Sequence, residues 1–361
     1  MGKNILFSPL HWGMGHATRL MPFIDIALKN NYNVFIAANG MPLKVLKEHF
    51  PHVSFINFQS ENFRYPKRKI GFGYYFVLLF KIIMGTIKEY IHVKKIVKAH
   101  DIAIIVSDNR YGMFTKRTYN ILLTHQLNII LPKVLSPFQN LVQTLMYKYY
   151  KNFNKIVVPD FETQPTLAGI LSENKQNTGN IFYCNPLSQL YLYKSDIKTP
   201  NFDIMVLLSG IEHARTKLEN ILLQQLSQTS YKVLFVRGVH DKTSALTSDK
   251  ANITVVNFLT SDAVFEALTS SKLIICRSGY STVTDLMYCR TNAILVPTPG
   301  QTEQEYLAAR CKTNNWFYST NQKHFNLESA IISSQGYKNP GMMTDFVGTE
   351  KKIRQILNES V

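Results

Sequence analysis

No Asp-x-Asp pair occurs anywhere in the sequence, so no motif offers two carboxylates to a cation bridging a diphosphate. Cysteine is scarce, and Cys184, Cys276, Cys289 and Cys311 stand apart, without Cys-x-x-Cys or Cys/His spacing. Scattered so, they read as reduced core thiols, not as disulfides or a zinc site. Long apolar runs are missing too. The most hydrophobic stretch, Tyr74 to Gly85, is broken by Lys81. It falls far short of the roughly 20 residues a membrane span needs. The apolar start, Asn4 to Leu10, is too short for a secretory leader and runs into a turn of Gly and His. Gly2 lacks the Ser or Thr of a myristoylation motif, Leu6 standing in its place. These absences predict a cytoplasmic, metal-free protein that at most rests on the inner face of a membrane.

Acidic residues are few and unevenly placed. Basic residues exceed them by 14 in residues 1–200 and by only 2 in the rest. Such a half predicts an anionic partner: a membrane surface, a phosphorylated acceptor or a nucleic acid. Nucleic acid is not expected, because the aromatic–basic interleaving of the usual modules is missing.

What is present is an alternation of strands and helices. Lys3–Leu10, Asn33–Ala38, Val53–Phe58, Ile102–Ser107, Asn120–Thr124 and Lys155–Val158 read as strands. Helical spacing runs over Ala17–Asn30, Met41–Phe50, Tyr74–Ala99 and Phe138–Asn152, and the apolar residues of the last two are expected to pack on the sheet. A polar linker, Ser195–Asn201, precedes a second series of strands: Asp203–Leu208, Lys232–Val236, Ile253–Val256, Leu273–Cys276 and Ala293–Val296. Apolar, β-branched strands alternating with helices specify parallel sheets covered on both faces. The predicted fold is therefore α/β, two tandem Rossmann-like doubly wound domains with a cleft between them. The expected boundaries are residues 1–197, 198–347 and a terminal helix, 348–361, that crosses back to the first domain. Ligands in such sheets sit at the carboxyl ends of the strands.

Six of those strand ends carry chemistry. The first reads His11-Trp12-Gly13-Met14-Gly15-His16, where glycines permit a tight turn into a helix whose N-terminus favours a neutral imidazole. A third glycine and a later carboxylate are lacking, which argues against dinucleotide binding. His16 is instead placed as a general base. Asp108 of Ser107-Asp108-Asn109-Arg110 could orient it. His125 of Thr124-His125-Gln126 is a further candidate. In the second half, Ser209-Gly210 and the stretch Arg277-Ser278-Gly279-Tyr280-Ser281-Thr282 offer small residues and helix starts to phosphate. Asp285 follows two turns later, and Pro297-Thr298-Pro299-Gly300-Gln301 leads into Gln304-Glu305.

At these residues the sequence resembles the GT-B glycosyltransferases, and within them the MurG-like group with a family 28 type C-terminal domain. The resemblance spans the chain and is most specific over residues 271–309. It implies an inverting, metal-independent transfer of a hexose or N-acetylhexosamine from a UDP-sugar co-substrate, with no other cofactor, to a glycan or lipid-linked hydroxyl. It also implies site roles. Gly210 and Thr282 would face the diphosphate, with Ser209, Ser278, Gly279 and Gln301 around them. Asp285 would hold the ribose, the backbone at Phe258–Leu259 the base, and Gln304 and Glu305 the sugar. Arg215 and Arg237 would steady the leaving diphosphate, and Gly13, Met14, Gly15, Arg110 and His125 would meet the acceptor. Asp285 and Glu305 stand where the cell-wall enzymes usually carry glutamate and glutamine, which points to a different acceptor. A silent nucleotide-sugar sensor and a GT-B-type sugar-nucleotide epimerase are the competing readings.

Overall fold

The structure is a computed structural model that describes residues 2–11, 13–58, 72–193, 200–239, 250–341 and 346–360. Most of the linker, residues 195–199, and the basic run Arg64-Tyr65-Pro66-Lys67-Arg68-Lys69 lie outside the described residues.

The first thirteen elements are β1 (Asn4–Pro9), α1 (Met14–Lys29), β2 (Asn33–Ala38), α2 (Gly40–His49), β3 (Ser54–Asn57), α3 (Phe72–His100), β4 (Ile104–Asp108), β5 (Tyr119–Leu123), α4 (Gln139–Tyr150), β6 (Lys155–Val158), β7 (Ile181–Tyr183), β8 (Phe202–Leu207) and α5 (Glu212–Leu226). There follow β9 (Val233–Val236), β10 (Ile253–Val256), α6 (Ser261–Thr269), β11 (Ser271–Cys276), α7 (Tyr280–Cys289), β12 (Ala293–Leu295), α8 (Thr302–Thr313), β13 (Tyr318–Ser319), α9 (Leu327–Ser334) and α10 (Phe346–Glu359). Short β7 and β13 are too brief to leave a pattern that sequence reading can detect.

The chain divides into two compact units, Met1–Leu187 with Asp345–Val361, and Ser188–Thr344. The second unit begins ten residues before the expected 198. Ser188 donates to Asp285 Oδ1 at 2.6 Å and Ser261 donates to Gln189 Oε1 at 2.7 Å, so the segment ahead of the linker is tied to the second sheet.

In the first unit seven parallel strands lie in the order β3-β2-β1-β4-β5-β6-β7. The chain starts mid-sheet, winds outward to β3, then returns through α3 to β4. That reversal opens a switch point between β1 and β4, the place where such sheets bind ligands. Ile5, Leu6 and Phe7 of β1 and Ile104, Ile105 and Val106 of β4 are wholly buried, as central strands covered on both faces must be. Helix α10 packs on α1, burying Ile353, Ile356 and Leu357, and Tyr32 donates to the Leu357 carbonyl at 3.0 Å.

The second unit repeats the plan with six strands, β10-β9-β8-β11-β12-β13, and a switch point between β8 and β11. Leu207 pairs with Cys276 and Cys276 with Leu295. The loops after β8, β11 and β12 therefore leave the sheet side by side.

One packing expectation fails. Val93 and Val97 of α3 are buried under the sheet, but Val77, Leu79, Phe80, Ile83, Ile87 and Ile91 are exposed. A helix of 29 residues reaches about 43 Å, more than twice the length of a six-residue strand, so only its last turns can find the sheet. Leu141 and Leu145 of α4 are exposed as well. No helix among the described residues is long and apolar enough to cross a membrane.

Candidate active site

Three strand ends meet in the first unit. Pro9 of β1 pairs with Asp108 of β4, and Asp108 with Leu123 of β5. Asp108 is wholly buried beside the first turn of α1. His16, the third residue of that helix, keeps a fifth of its side chain exposed, and its Nδ1 lies 2.9 Å from Asp108 Oδ1. Arg19, one turn on and 2% exposed, donates from Nε to Asp108 Oδ2 at 2.9 Å, and its Nη2 bonds Oδ1. Its Nη1 donates to His125 Nδ1 at 2.5 Å.

Burial alone would raise the Asp108 carboxyl. The charges of Arg19 and His16, with their hydrogen bonds, outweigh it and hold the group below the ordinary carboxylate range. An ionised carboxylate only accepts, so the hydrogen between it and His16 belongs to Nδ1. The lone pair of a neutral His16 is then on Nε2, the atom a base would use.

The structure gathers His16, Asp108 and His125, and adds Arg19, which sequence reading missed. Its signal was its place at i+3 from His16, on the same helix face. Gly13 is the N-cap of α1 in an extended conformation, and an added Cβ there meets nothing within 4 Å. Met14 and Gly15 form the turn ahead of His16. Arg110 is not gathered with them. It is buried, donates from Nε to Glu89 of α3 at 2.9 Å and from Nη1 to Ser8 Oγ at 3.1 Å, and covers the Phe58 ring.

In the second unit the loops after β8, β11 and β12 bring Ser209, Gly210, Gly279, Thr282 and Gln301 to one edge. Gly210 sits at φ +100°, a conformation that glycine alone adopts freely, and a Cβ there would approach Thr298 Oγ1 to 3.4 Å. Gly279 caps α7, and a Cβ there would meet only Thr282 Oγ1, at 3.9 Å. Half-buried Asp285 accepts the Ser188 hydroxyl. Burial pushes its carboxyl up to about 7, with the Ser188 hydrogen bond pulling the other way. Phe258 and Leu259 lie half-buried just past β10.

Several residues expected to meet a ligand make internal contacts. Ser278 is wholly buried and donates to the Gln304 carbonyl at 2.7 Å. Gln304 Oε1 accepts Thr298 N at 2.9 Å, and Glu305 Oε1 accepts Gly300 N at 2.8 Å. These side chains shape the loop before α8. Arg215 and Arg237 both bond Glu219, the first from Nη1 at 2.6 Å and the second from Nε at 2.9 Å. Glu212 and Asn257 take further hydrogens from them. The buried Glu219 carboxylate thus lies between the two guanidinium groups and bonds both.

Two unassigned groups belong to the same edge. Thr298 Oγ1 is buried without a hydrogen-bond partner. Arg277, at the end of β11, is buried and donates to the carbonyls of Val296, Pro297 and Ala214 and to Gln322 Oε1. It thereby ties together the loops after β8, β11 and β12, and burial lowers its pKa to about 10. Among the described residues, no group of three or more His, Cys, Asp or Glu is arranged to hold a metal ion.

Residues 211–334 match the glycosyltransferase family 28 C-terminal domain. The match falls within the second unit. The chain as a whole has the GT-B glycosyltransferase fold. It is similar to the glycosyltransferase of kitacinnamycin, with a TM-score of 0.65 at 11% identity over 100% of this chain and 96% of that one. MurG of Acinetobacter baumannii gives 0.54 at 14% identity over 99% of each chain. The spinosyn rhamnosyltransferase SpnG, complexed with thymidine diphosphate, gives 0.60 at 11% over 99% and 96%. No curated protein matches the chain in sequence. In this GT-B chain the family match falls on the unit with the glycine-bearing loops, and the His16–Asp108–Arg19 cluster lies outside it.

Proposed function

We propose that the chain transfers a sugar from a UDP-sugar to an acceptor hydroxyl, with inversion and without a metal. The observation that carries the reading is the His16–Asp108 pair, buried at one end and partly open at the other, at a switch point. His16 Nε2 takes the acceptor proton as the acceptor oxygen forms its bond to the anomeric carbon. The bond from that carbon to the phosphate oxygen breaks, and UDP leaves with the electron pair. The N-terminus of α7 and the backbone at Gly210 are the groups proposed to meet the diphosphate. Asp285 is proposed to accept from the ribose.

Thermal stabilisation by UDP, GDP, ADP, CDP and TDP tests the donor. UDP is expected to give the largest shift, and Asp285→Ala to abolish it. A shift with TDP alone would replace the nucleotide, and no shift with any at millimolar concentration would favour a protein that neither binds nor turns over such a donor.

The raised Asp285 pKa adds a pH signature. In the folded chain this carboxyl holds its proton up to about pH 7, while an unfolded one releases it near 4. Its contribution to stability is therefore greatest below about pH 4 and falls as pH rises to 7. Ribose hydroxyls donate better to the ionised form, so UDP affinity should rise between pH 6 and 8. The terminal phosphate of UDP ionises in the same range, and Asp285→Asn, which keeps that ionisation, isolates the protein's share. An equal pH dependence in both proteins would remove Asp285 from the ribose.

The exposed apolar face of α3, flanked by exposed Lys81, Lys88 and Lys95, supports peripheral contact with anionic membrane. Flotation with vesicles containing anionic lipid should show salt-sensitive binding, reduced by Phe80→Glu with Ile83→Glu. No lipid-dependent binding at low salt would end this part of the proposal.

A further inference from the structure

We infer that one guanidinium, Arg19, imposes opposite tautomers on the two histidines of the first unit, making His16 a proton acceptor and His125 a hydrogen-bond donor. The use of this arrangement rests on the transfer reading above; its geometry does not.

A guanidinium has five N–H groups and no lone pair to accept with. Arg19 Nη1, 2.5 Å from His125 Nδ1, therefore donates, and that ring nitrogen must be bare. A neutral imidazole carries one hydrogen, so His125 carries it on Nε2. Protonation of both nitrogens would set an N–H against the N–H of a fixed cation, which like charge opposes.

On the other side of the same guanidinium, Nε and Nη2 hold both oxygens of Asp108. The carboxylate can then take the His16 hydrogen only from Nδ1, at 2.9 Å. Arg19 Nη2 also lies 3.1 Å from His16 Nδ1. With Nδ1 protonated, that approach joins two donors converging on one carboxylate oxygen and is not a bond. His16 thus exposes a lone pair at Nε2, whereas His125 presents a hydrogen at its own Nε2.

The polarity runs one residue further. His125 Nε2 lies 3.4 Å from Nε2 of half-buried Gln126. With His125 Nε2 protonated two N–H groups would face one another, so the inference includes an end-for-end turn of the amide, which exchanges its O and N in place and sets the oxygen toward the ring. The Gln126 NH₂ is left to donate to an oxygen of the acceptor substrate. Arg19 and His125 are positioning residues here, and Gln126 is the one that touches substrate.

Nitrogen-15 NMR of the full chain labelled at histidine reads the tautomers without substrate. In the wild type at neutral pH, His16 should be protonated on Nδ1 and His125 on Nε2. Arg19→Lys keeps the buried charge but cannot span both partners, so His125 should lose its single tautomer while His16 keeps Nδ1–H. His125 protonated on Nδ1 in the wild type, or unchanged in Arg19→Lys, would overturn the inference. Gln126→Glu gives a second reading. The carboxylate still accepts from His125 but has no N–H to offer, so the acceptor KM should rise roughly 3–10-fold with kcat little changed, the worth of one lost hydrogen bond. An unchanged acceptor KM would detach Gln126 from the substrate. The two ideas fail separately: a chain that transfers no sugar can still show the two tautomers, and an active one can lack them.

Discussion

His16→Ala is expected to lower turnover by roughly 10²–10⁴-fold, the usual worth of a positioned general base. UDP should stabilise the variant as it does the wild type, because the proposed donor contacts all lie in the other unit. The size follows from the surroundings of the ring. Asp108 is wholly buried and ionised, and its position is fixed by Arg19 through both oxygens. The imidazole is thereby held in one orientation, and no reorganisation is needed when it takes the proton. Asp108→Asn should lose nearly as much, since an amide in that place can turn an N–H toward Nδ1 and force the wrong tautomer. Measured kcat with saturating donor and acceptor decides the matter. Near-normal turnover in His16→Ala would remove this residue from the role and leave the cluster a structural one.

Glu219→Gln is expected to cost the second unit about 3–5 kcal/mol, the range for breaking a buried ion pair by removing one partner. Glu219 is 2% exposed and sits between Arg215 and Arg237, both buried. The two guanidinium groups together outweigh burial and hold its carboxyl below the ordinary range. Neutralising it takes from Arg237 the carboxylate that its Nε and Nη2 bond, while the hydrogen bond to Asn257 stays. Arg215 keeps Glu212, whose own side chain is largely in solvent and repays less. Denaturation followed by Trp316, buried in the second unit, reads the loss once Trp12→Phe removes the other tryptophan. Arg237→Met should likewise lower stability while leaving UDP stabilisation in place. Loss of UDP binding with stability intact would return Arg237 to the diphosphate.

The strands were legible because central parallel strands must be apolar on both faces, and Ile104–Ser107 or Leu273–Cys276 leave no other reading. His16 and Asp108 were legible as a pair because both stand at strand ends that a doubly wound sheet brings to one edge. Arg19, Glu219 and Arg277 were not. A sequence shows that an arginine exists but not which acceptor claims it. Arg215 and Arg237 read as cations for a phosphate, yet a carboxylate four residues from Arg215 on the same helix reached them first. Gln304 and Glu305 likewise accept backbone N–H groups of their own loop, a contact that no sequence pattern shows. The exposed face of α3 was hidden by its composition. An apolar helix looks buried in sequence, and only the length of the sheet beside it shows how much can be covered.

By itself, then, the sequence determined the alternation of elements, the two sheets and the strand ends where chemistry could lie. These depend on local periodicity and on rules of winding that hold for any such chain. The tertiary structure alone decided which charges neutralise one another, which nitrogen of each histidine carries its hydrogen, and which helix face is left uncovered. Those outcomes depend on distances of a few ångströms between residues as far apart as Arg19 and His125, and no pattern along the chain encodes such distances.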